Sequence, residues 1–396
     1  MQVAYVLSQN SGGLPHYAAE LANAIGQYAD VIVLKPSDTT ADEVFSEDIE
    51  VINPFDPMDI SIPDLRRLRV RPIRNAKVLL SYRRLKTLVR IDPDVIHDPT
   101  GFFPQVRFFG GRYDLDDRYP LVVTYHEIPP SELSLVDLYN NTEQLFTALT
   151  YRLANRVMPS VHIERAVVHS ETQREALNRT RTAPGTVDVI PHGVYDFFGD
   201  YDYAERPEED NCLLFFGNVI PPKGIDTLVE AIPIVQEEIP DVRLLIAGKG
   251  QLSKQSKSIV EQHEEHFEIH TGFVPNDEVG EFFSRAQVAV LPYQYYGGET
   301  KGHSGVLSTA HSFGTPVVAT TIGEFPSLVE GAGCGLTVPP RDPAALADGI
   351  VRVLEDDEQR HRMAENSMKQ GERLSWDTIA KRYLDTYETA ITSHRT

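Results

Sequence analysis

Cysteine is nearly absent from this chain of 396 residues. Cys212 and Cys334 stand far apart in sequence, so a disulfide framework is excluded and the two read as reduced thiols of a cytoplasmic protein. No Cys/His cluster has metal-ligand spacing, and no metal is expected. Long apolar runs are missing too: none reaches the ~18 residues that a spanning helix needs. The opening MQVAYVL lacks a charged n-region with a cleavage site, so no secretory leader is expected. Lysine is scarce, about ten against some twenty-seven arginines, and the formal charge is −21. That balance argues against a generic nucleic-acid binder. Acidic residues scattered over many predicted helices suit a high-salt, halophilic cytoplasm, where screening removes self-repulsion. An acidic mesophilic protein would read the same way. Apolar content of 41% is ordinary for a globular chain, and the length fits two or three domains with ample core.

One stretch breaks the acidic pattern. Residues 66–90, RRLRVRPIRNAKVLLSYRRLKTLVR, hold ten Lys/Arg and no acid. From Ile73 onward apolar residues recur at broadly helical spacing beside basic ones. Such a helix reads as a contact with an anionic membrane surface, Leu79, Leu85, Leu88 and Val89 dipping into the headgroup boundary. It reads equally as a solvated helix that balances charge within its own domain.

The richest stretch is 287–320, QVAVLPYQYYGGETKGHSGVLSTAHSFGTPVVAT. Val288–Leu291 predicts a buried strand that Pro292 stops. A loop rich in Gly and Tyr follows, then Ser304-Gly305-Val306 opens a helix capped by Gly314, and Pro316–Ala319 begins another strand. Strand, glycine loop and helix N-terminus together form a phosphate-binding geometry, because the first helical amides lack partners and carry the positive end of the dipole. Gly305 would let a phosphate approach the backbone, and Ser304 can cap the helix. An ordinary βα turn would look similar.

In chain order, Val3–Leu7 predicts a strand, Gly12-Gly13 a loop and Tyr17–Ile25 a helix, again offering amides to an anion or a sugar. Strands Asp94–His97 and Leu121–Tyr125 each lead to a histidine, His97 and His126, at the strand end where open parallel sheets hold ligands. Residues 137–180 read as mostly helical around the strand Ala166–His169. Further strands are expected at Val187–Ile190, Leu213–Phe216 and Val242–Ala247, with an acidic, irregular linker at about 195–211. Helices are expected at Ala344–Leu354 and Gln359–Arg373.

The small-residue helix running into GTPVVAT, followed by GEFPSLVEGAGCGLTVPPRDPAALADGI, resembles the C-terminal half of retaining glycosyltransferases of the GT-B fold, family 4. The likeness extends from Gly12-Gly13 to Trp376. It implies an α/β architecture: two Rossmann-like domains, 1–195 and 206–375, facing across a cleft, with a last helix, 376–396, crossing back to the first domain and anchored by Trp376. It implies a UDP- or GDP-hexose donor, no tightly bound cofactor, and transfer with retention to a glycan or lipid-linked acceptor on the cytoplasmic side. His126, in a T-x-H-D-like motif with Glu127 in place of Asp, and Glu299 would orient the sugar. Lys223 before Gly224, with Asn218 where the family carries Arg, would neutralise the departing diphosphate. Gly12 and Gly13 would face donor phosphate and acceptor. The segment 270–274, with Phe273 and Val274, would meet the base, and the amides of Ser304, Gly305 and Val306 the phosphates. The family's paired glutamates are replaced by Lys301 and Thr309, the latter still able to bond a ribose hydroxyl. That loss keeps two other readings open: a non-catalytic sugar-nucleotide-binding relative, and an epimerase or phosphorylase of the same fold.

Overall fold

The computed structural model describes residues 1–57, 72–101, 104–126, 128, 159–180, 185–195, 198–199, 207–294 and 304–395. They fall into two compact units. The first holds Met1–His192 and Trp376–Thr396, the second Gly193–Glu299 and His303–Ser375.

The first unit is built on β1 (Gln2–Val6), β2 (Asp30–Pro36), β3 (Glu50–Phe55), β4 (Val95–Asp98), β5 (Leu121–Tyr125), β6 (Arg165–Val168) and β7 (Val187–Val189). All pair parallel in the order β3-β2-β1-β4-β5-β6-β7. The strands read as near-continuous apolar runs because both faces are covered. β2 and β3 were not expected from the sequence; the charged ends of both obscure their patterns. Strand order reverses between β1 and β4, so the turns after those strands diverge and leave a crevice at their carboxyl ends.

Against one face packs helix Gly13–Gly26, together with the last helix, Trp376–His394. A chain of buried hydroxyls and one imidazole ties the latter to the sheet. Tyr5 bonds Tyr387, Tyr387 bonds His97 Nδ1 at 2.7 Å, and His97 Nε2 bonds Thr124 at 2.9 Å. Thr124 then bonds Tyr383, which bonds Tyr17 at 2.7 Å. His97 is fully buried and burial pulls its pKa down to about 3. Its place is therefore in the packing between sheet and helix, not on a ligand face.

The basic stretch is described from residue 72. Helix Pro72–Ser81 gives way to a 3-10 segment, Tyr82–Thr87, and a short turn, Leu88–Ile91. Three residues per turn put positions 82, 85 and 88 on one line. Tyr82, Leu85 and Leu88 are accordingly fully buried, while Arg83, Arg84, Lys86 and Arg90 are exposed. Leu85 and Leu88 thus belong to the core rather than to a lipid-facing stripe; among the described side chains of this stretch, Leu79 and Leu80 are the large apolar ones left exposed.

The second unit repeats the design with β8 (Cys212–Phe216), β9 (Arg243–Gly248), β10 (Phe267–Thr271), β11 (Val288–Leu291), β12 (Val317–Thr320) and β13 (Gly335–Val338). Their parallel order is β10-β9-β8-β11-β12-β13, with the reversal between β8 and β11. Helices Ile225–Glu238 and Pro343–Glu355 fill one side through Leu228, Ile232, Leu346 and Ile350. At the sheet's other end Arg285 clamps Glu268 and Glu209, and holds the Glu268 carboxyl down to about 2. Both cysteines are free and buried, and burial pushes their thiols up to about 12. Among the described residues no helix is long and apolar enough to cross a membrane, and no group of His, Cys, Asp and Glu could hold a metal ion.

Candidate functional site

The crevice of the second unit lies where the turns after β8 and β11 leave the sheet. After β8 the chain passes Gly217 at φ +106°, exposed Asn218, and a 3-10 turn, Pro221–Lys223, closed by Gly224 at φ +72°. Both glycines sit where an L side chain is strained. A Cβ on Gly217 would lie 3.4 Å from Val306 Cγ2, which brings the two predicted phosphate elements side by side. Gly224 is pressed more tightly: a Cβ there would stand 1.7 Å from the carbonyl oxygen of Pro292, just past β11. Gln294 donates its amide to Pro222 O at 2.9 Å and its side-chain amide to Thr227 at 2.7 Å. The Lys223 turn is thereby fixed against the end of β11.

Helix Gly305–Ser312 starts beside these turns. Ser304 is its N-cap, in extended conformation, with its hydroxyl accepting from Leu307 N–H. No acidic residue occupies the first turn, so the positive end of the dipole is uncompensated there. Gly305 faces the ring of Tyr195, whose Cε2 would lie 2.7 Å from an added Cβ. Its lack of a side chain therefore serves packing as well as any ligand's approach, and Gly305→Val would disturb both. Thr309 is 2% exposed and donates its hydroxyl to the Gly305 carbonyl at 3.0 Å. Inside a helix this is the usual i−4 bond of threonine, and it commits the hydroxyl proton to the backbone.

Phe273 is 70% exposed on the turn after β10, beside Gly272 at φ +149°. Val274 is half-buried against the apolar cluster that contains Phe282 and Leu307. An aromatic so bare on the rim where strands end is available to stack. Glu299 and Lys301 lie outside the described residues, as do Gly297, Gly298 and Glu127.

In the first unit, Gly12 at φ +85° precedes helix Gly13–Gly26, and Gly12 and Gly13 are both exposed. A Cβ on Gly12 would meet nothing within 4 Å, so that turn faces open space. His126, by contrast, is 9% exposed. Its Nε2 donates to Pro99 O at 2.9 Å, and its Nδ1 lies 3.1 Å from His169 Nε2. His169 Nδ1 in turn donates to Ile190 O at 3.0 Å. Because carbonyls only accept, both outer nitrogens carry protons, and the contact between the rings closes as a hydrogen bond only with a third proton. The T-x-H motif thus delivers His126 into a buried cluster with His169, His192, Tyr17 and Trp376. A sugar would have to meet it at its small exposed edge. His169 and His192 were given no chemical role from the sequence, where the first ends a predicted strand and the second lies in PHGV, Pro191–Val194, which resembles the family's exit from its first domain.

Tyr293 was missed as well. It is buried, its ring lies 3.6 Å from the Lys223 ammonium, and its hydroxyl is 2.7 Å from that of Ser304. Its position, first after the proline that ends β11, was the signal available.

Two family models match, one after the other: Glycosyltransferase Family 4 over residues 11–196 and Glycosyl transferases group 1 over residues 202–370. Among characterised relatives, the phosphatidyl-myo-inositol mannosyltransferase of Mycobacterium leprae is 34% identical over 211 residues, 52% of this chain and 54% of that protein. An uncharacterized glycosyltransferase of Methanocaldococcus jannaschii is 30% identical over 57% of this chain and 59% of its own length. The chain thus spans little more than half the length of these relatives. Among solved structures, sucrose-phosphate synthase from Thermosynechococcus elongatus superposes with a TM-score of 0.72 at 20% identity, covering 99% and 100% of the two chains. HepE of Anabaena, in complex with UDP and glucose, gives 0.68 at 17% identity over 98% and 100%. Those two likenesses concern the fold, which is GT-B. With both sheets, their switch points and the two consecutive matches in hand, the chain belongs to the family-4, group-1 glycosyltransferases.

Proposed function

We propose that this protein transfers a hexose from a nucleotide-diphosphate sugar to an acceptor hydroxyl, with retention, in glycan or glycolipid assembly. The observation that carries the reading is the meeting of three phosphate-binding devices at the β8/β11 switch point. They are the Lys223 ammonium, the uncompensated start of helix Gly305–Ser312, and the glycine turn 217–224. As the anomeric carbon–oxygen bond to phosphate breaks, negative charge grows on the diphosphate and an oxocarbenium-like sugar forms. Lys223, Asn218 and the amides of Ser304, Gly305 and Val306 meet that charge; the acceptor oxygen forms the new bond and its proton leaves to the departing phosphate. Phe273 and Val274 border the base; the roles of Glu299 and His126 in orienting the sugar rest on the family likeness alone. Gly12 and Gly13 offer the acceptor side its open turn. The domains of this reading are 1–195 with 376–396, and 206–375.

The donor is a UDP- or GDP-hexose; of the two bases, UDP is the one bound in the HepE complex, a fold neighbour. A phosphatidylinositol-like or other lipid-linked acceptor fits the exposed cations Arg83, Arg84, Lys86 and Arg90 beside Leu79 and Leu80. Each cation at an anionic surface contributes about 1 kcal/mol. A second reading, a sugar-nucleotide-binding relative without turnover, is favoured by Thr309, a buried hydroxyl bonded to its own helix where the family carries a carboxylate. Purified protein given UDP- and GDP-hexoses with phosphatidylinositol vesicles, followed by mass analysis of the products, decides between them. Glycolipid with the anomeric configuration of the donor supports transfer. Donor binding without any product supports the second reading.

A further inference from the structure

We infer that Tyr293 is the positioning residue of the diphosphate site, holding its cation and its helix in register through the two ends of one side chain. The inference rests on the diphosphate site proposed above and assigns it a residue that neither the family likeness nor the sequence motifs had marked.

Lys223 ends a short 3-10 turn and is half-buried. Among the described residues no carboxylate pairs with it, and its ammonium rests over the Tyr293 ring, 3.6 Å from the centroid. A ring face attracts the cation through its quadrupole and restricts a side chain that otherwise has four free torsions. Unlike a carboxylate, the ring leaves the full positive charge to an incoming anion. A salt bridge in the same place would have to be broken before a phosphate could be bound.

The other end of the side chain meets the helix. Tyr293 hydroxyl lies 2.7 Å from Ser304 Oγ, and that oxygen already accepts from Leu307 N–H as the N-cap. With the Ser304 oxygen accepting at the cap, its bond to the tyrosine hydroxyl, whichever of the two donates, fixes its rotamer and the orientation of the first helical turn. Tyr293 itself has little freedom. Its carbonyl accepts from Thr320 Oγ1 at 2.8 Å, its ring packs edge-on against Phe325 at 5.1 Å, and Gln294 next to it is bonded to Pro222 and Thr227. One rigid aromatic thus spans the two elements that a diphosphate would touch. The ring governs the cation, and the hydroxyl governs the helix start.

The two functions separate by substitution. Tyr293→Phe keeps the ring beneath Lys223 and removes the bond to Ser304. Tyr293→Leu removes both. Isothermal titration with UDP and GDP, with donor hydrolysis or transfer as the rate assay, should rank wild type above Phe above Leu. We expect about a threefold weaker Kd for the Phe variant and at least about a tenfold loss in kcat/KM for Leu, in keeping with a cation–π contact and a neutral hydrogen bond. A purely structural role would lower stability but leave the cation's contribution intact, so the decisive measurement is a double-mutant cycle. Lys223→Met should cost nucleotide affinity in wild type and almost none in the Tyr293→Leu background. Additive losses in that cycle, or a Leu variant within twofold of wild type in Kd and kcat/KM, overturn the inference. Should Tyr293→Leu fail to fold, Tyr293→Met takes its place as the ringless variant, and Lys223→Met must again cost almost nothing there; a full cost overturns the inference. A diphosphate site in the wrong place shows itself differently, as Lys223→Met binding UDP and GDP like wild type.

Discussion

Gly224→Ala tests how the Lys223 turn is held, because it adds one methyl group and nothing else. The new Cβ would stand 1.7 Å from Pro292 O, where φ is +72°. A carbon and a carbonyl oxygen settle at about 3.3 Å or more, so the two backbone segments must part by roughly 1.5 Å. No rotamer change can absorb this, since both partners are main chain. Parting would break the bonds that Gln294 makes to Pro222 and to Thr227. Each such loss costs about 1 kcal/mol, and the left-handed conformation adds about 1–2 kcal/mol for alanine. Together they destabilise the second unit by about 3–4 kcal/mol. Urea unfolding followed by circular dichroism measures the change, and titration with UDP and GDP reads the displaced Lys223. A loss below about 1 kcal/mol, within the scatter of ordinary substitutions, would mean that the turn is not braced by β11, and the account of the site would fail with it.

Lys223→Ala should remove about 2–4 kcal/mol of transition-state stabilisation, in line with loss of a preorganised electrostatic donor; kcat at saturating donor within twofold of wild type would refute this. His97 gives a pH dependence with a definite sign. Its folded pKa of about 3 lies below the ordinary 6.5, so between those values the unfolded chain binds a proton that the folded one refuses. Its contribution is complete above about pH 6.5 and falls by about 1.4 kcal/mol per unit on acidification, and His97→Gln should flatten the measured slope of stability against pH by about one proton. Wild type should sediment with anionic vesicles at low salt and Arg83→Glu/Arg84→Glu should not, since each reversal turns an attraction of about 1 kcal/mol into a repulsion; equal sedimentation of the two proteins would leave that face a solvated one.

Local chemistry was legible in the chain by itself. The apolar run Val288–Leu291 came out with both ends correct, because a buried parallel strand is a short hydrophobic word closed by a proline. The N-cap at Ser304 and the helices near 343–373 were equally plain, since caps and periodicity are written within a few neighbouring residues. Tertiary structure decided what each side chain was free to do. The sequence offered His97 and His126 alike, at the ends of strands, yet the docking of helix Trp376–His394 consumed one of them in a hydroxyl chain across 290 residues. It read the basic stretch as one amphipathic helix, and a change to 3-10 geometry moved Leu85 and Leu88 from surface to core. Thr309 was placed correctly on its helix, but only the backbone carbonyl four residues earlier determined where its hydroxyl went. Tyr293 gained its part from two partners, 70 residues before it and 11 after it. Periodicity and capping are properties of neighbours along the chain, whereas burial and the direction of a hydrogen bond depend on what distant segments bring to the same place.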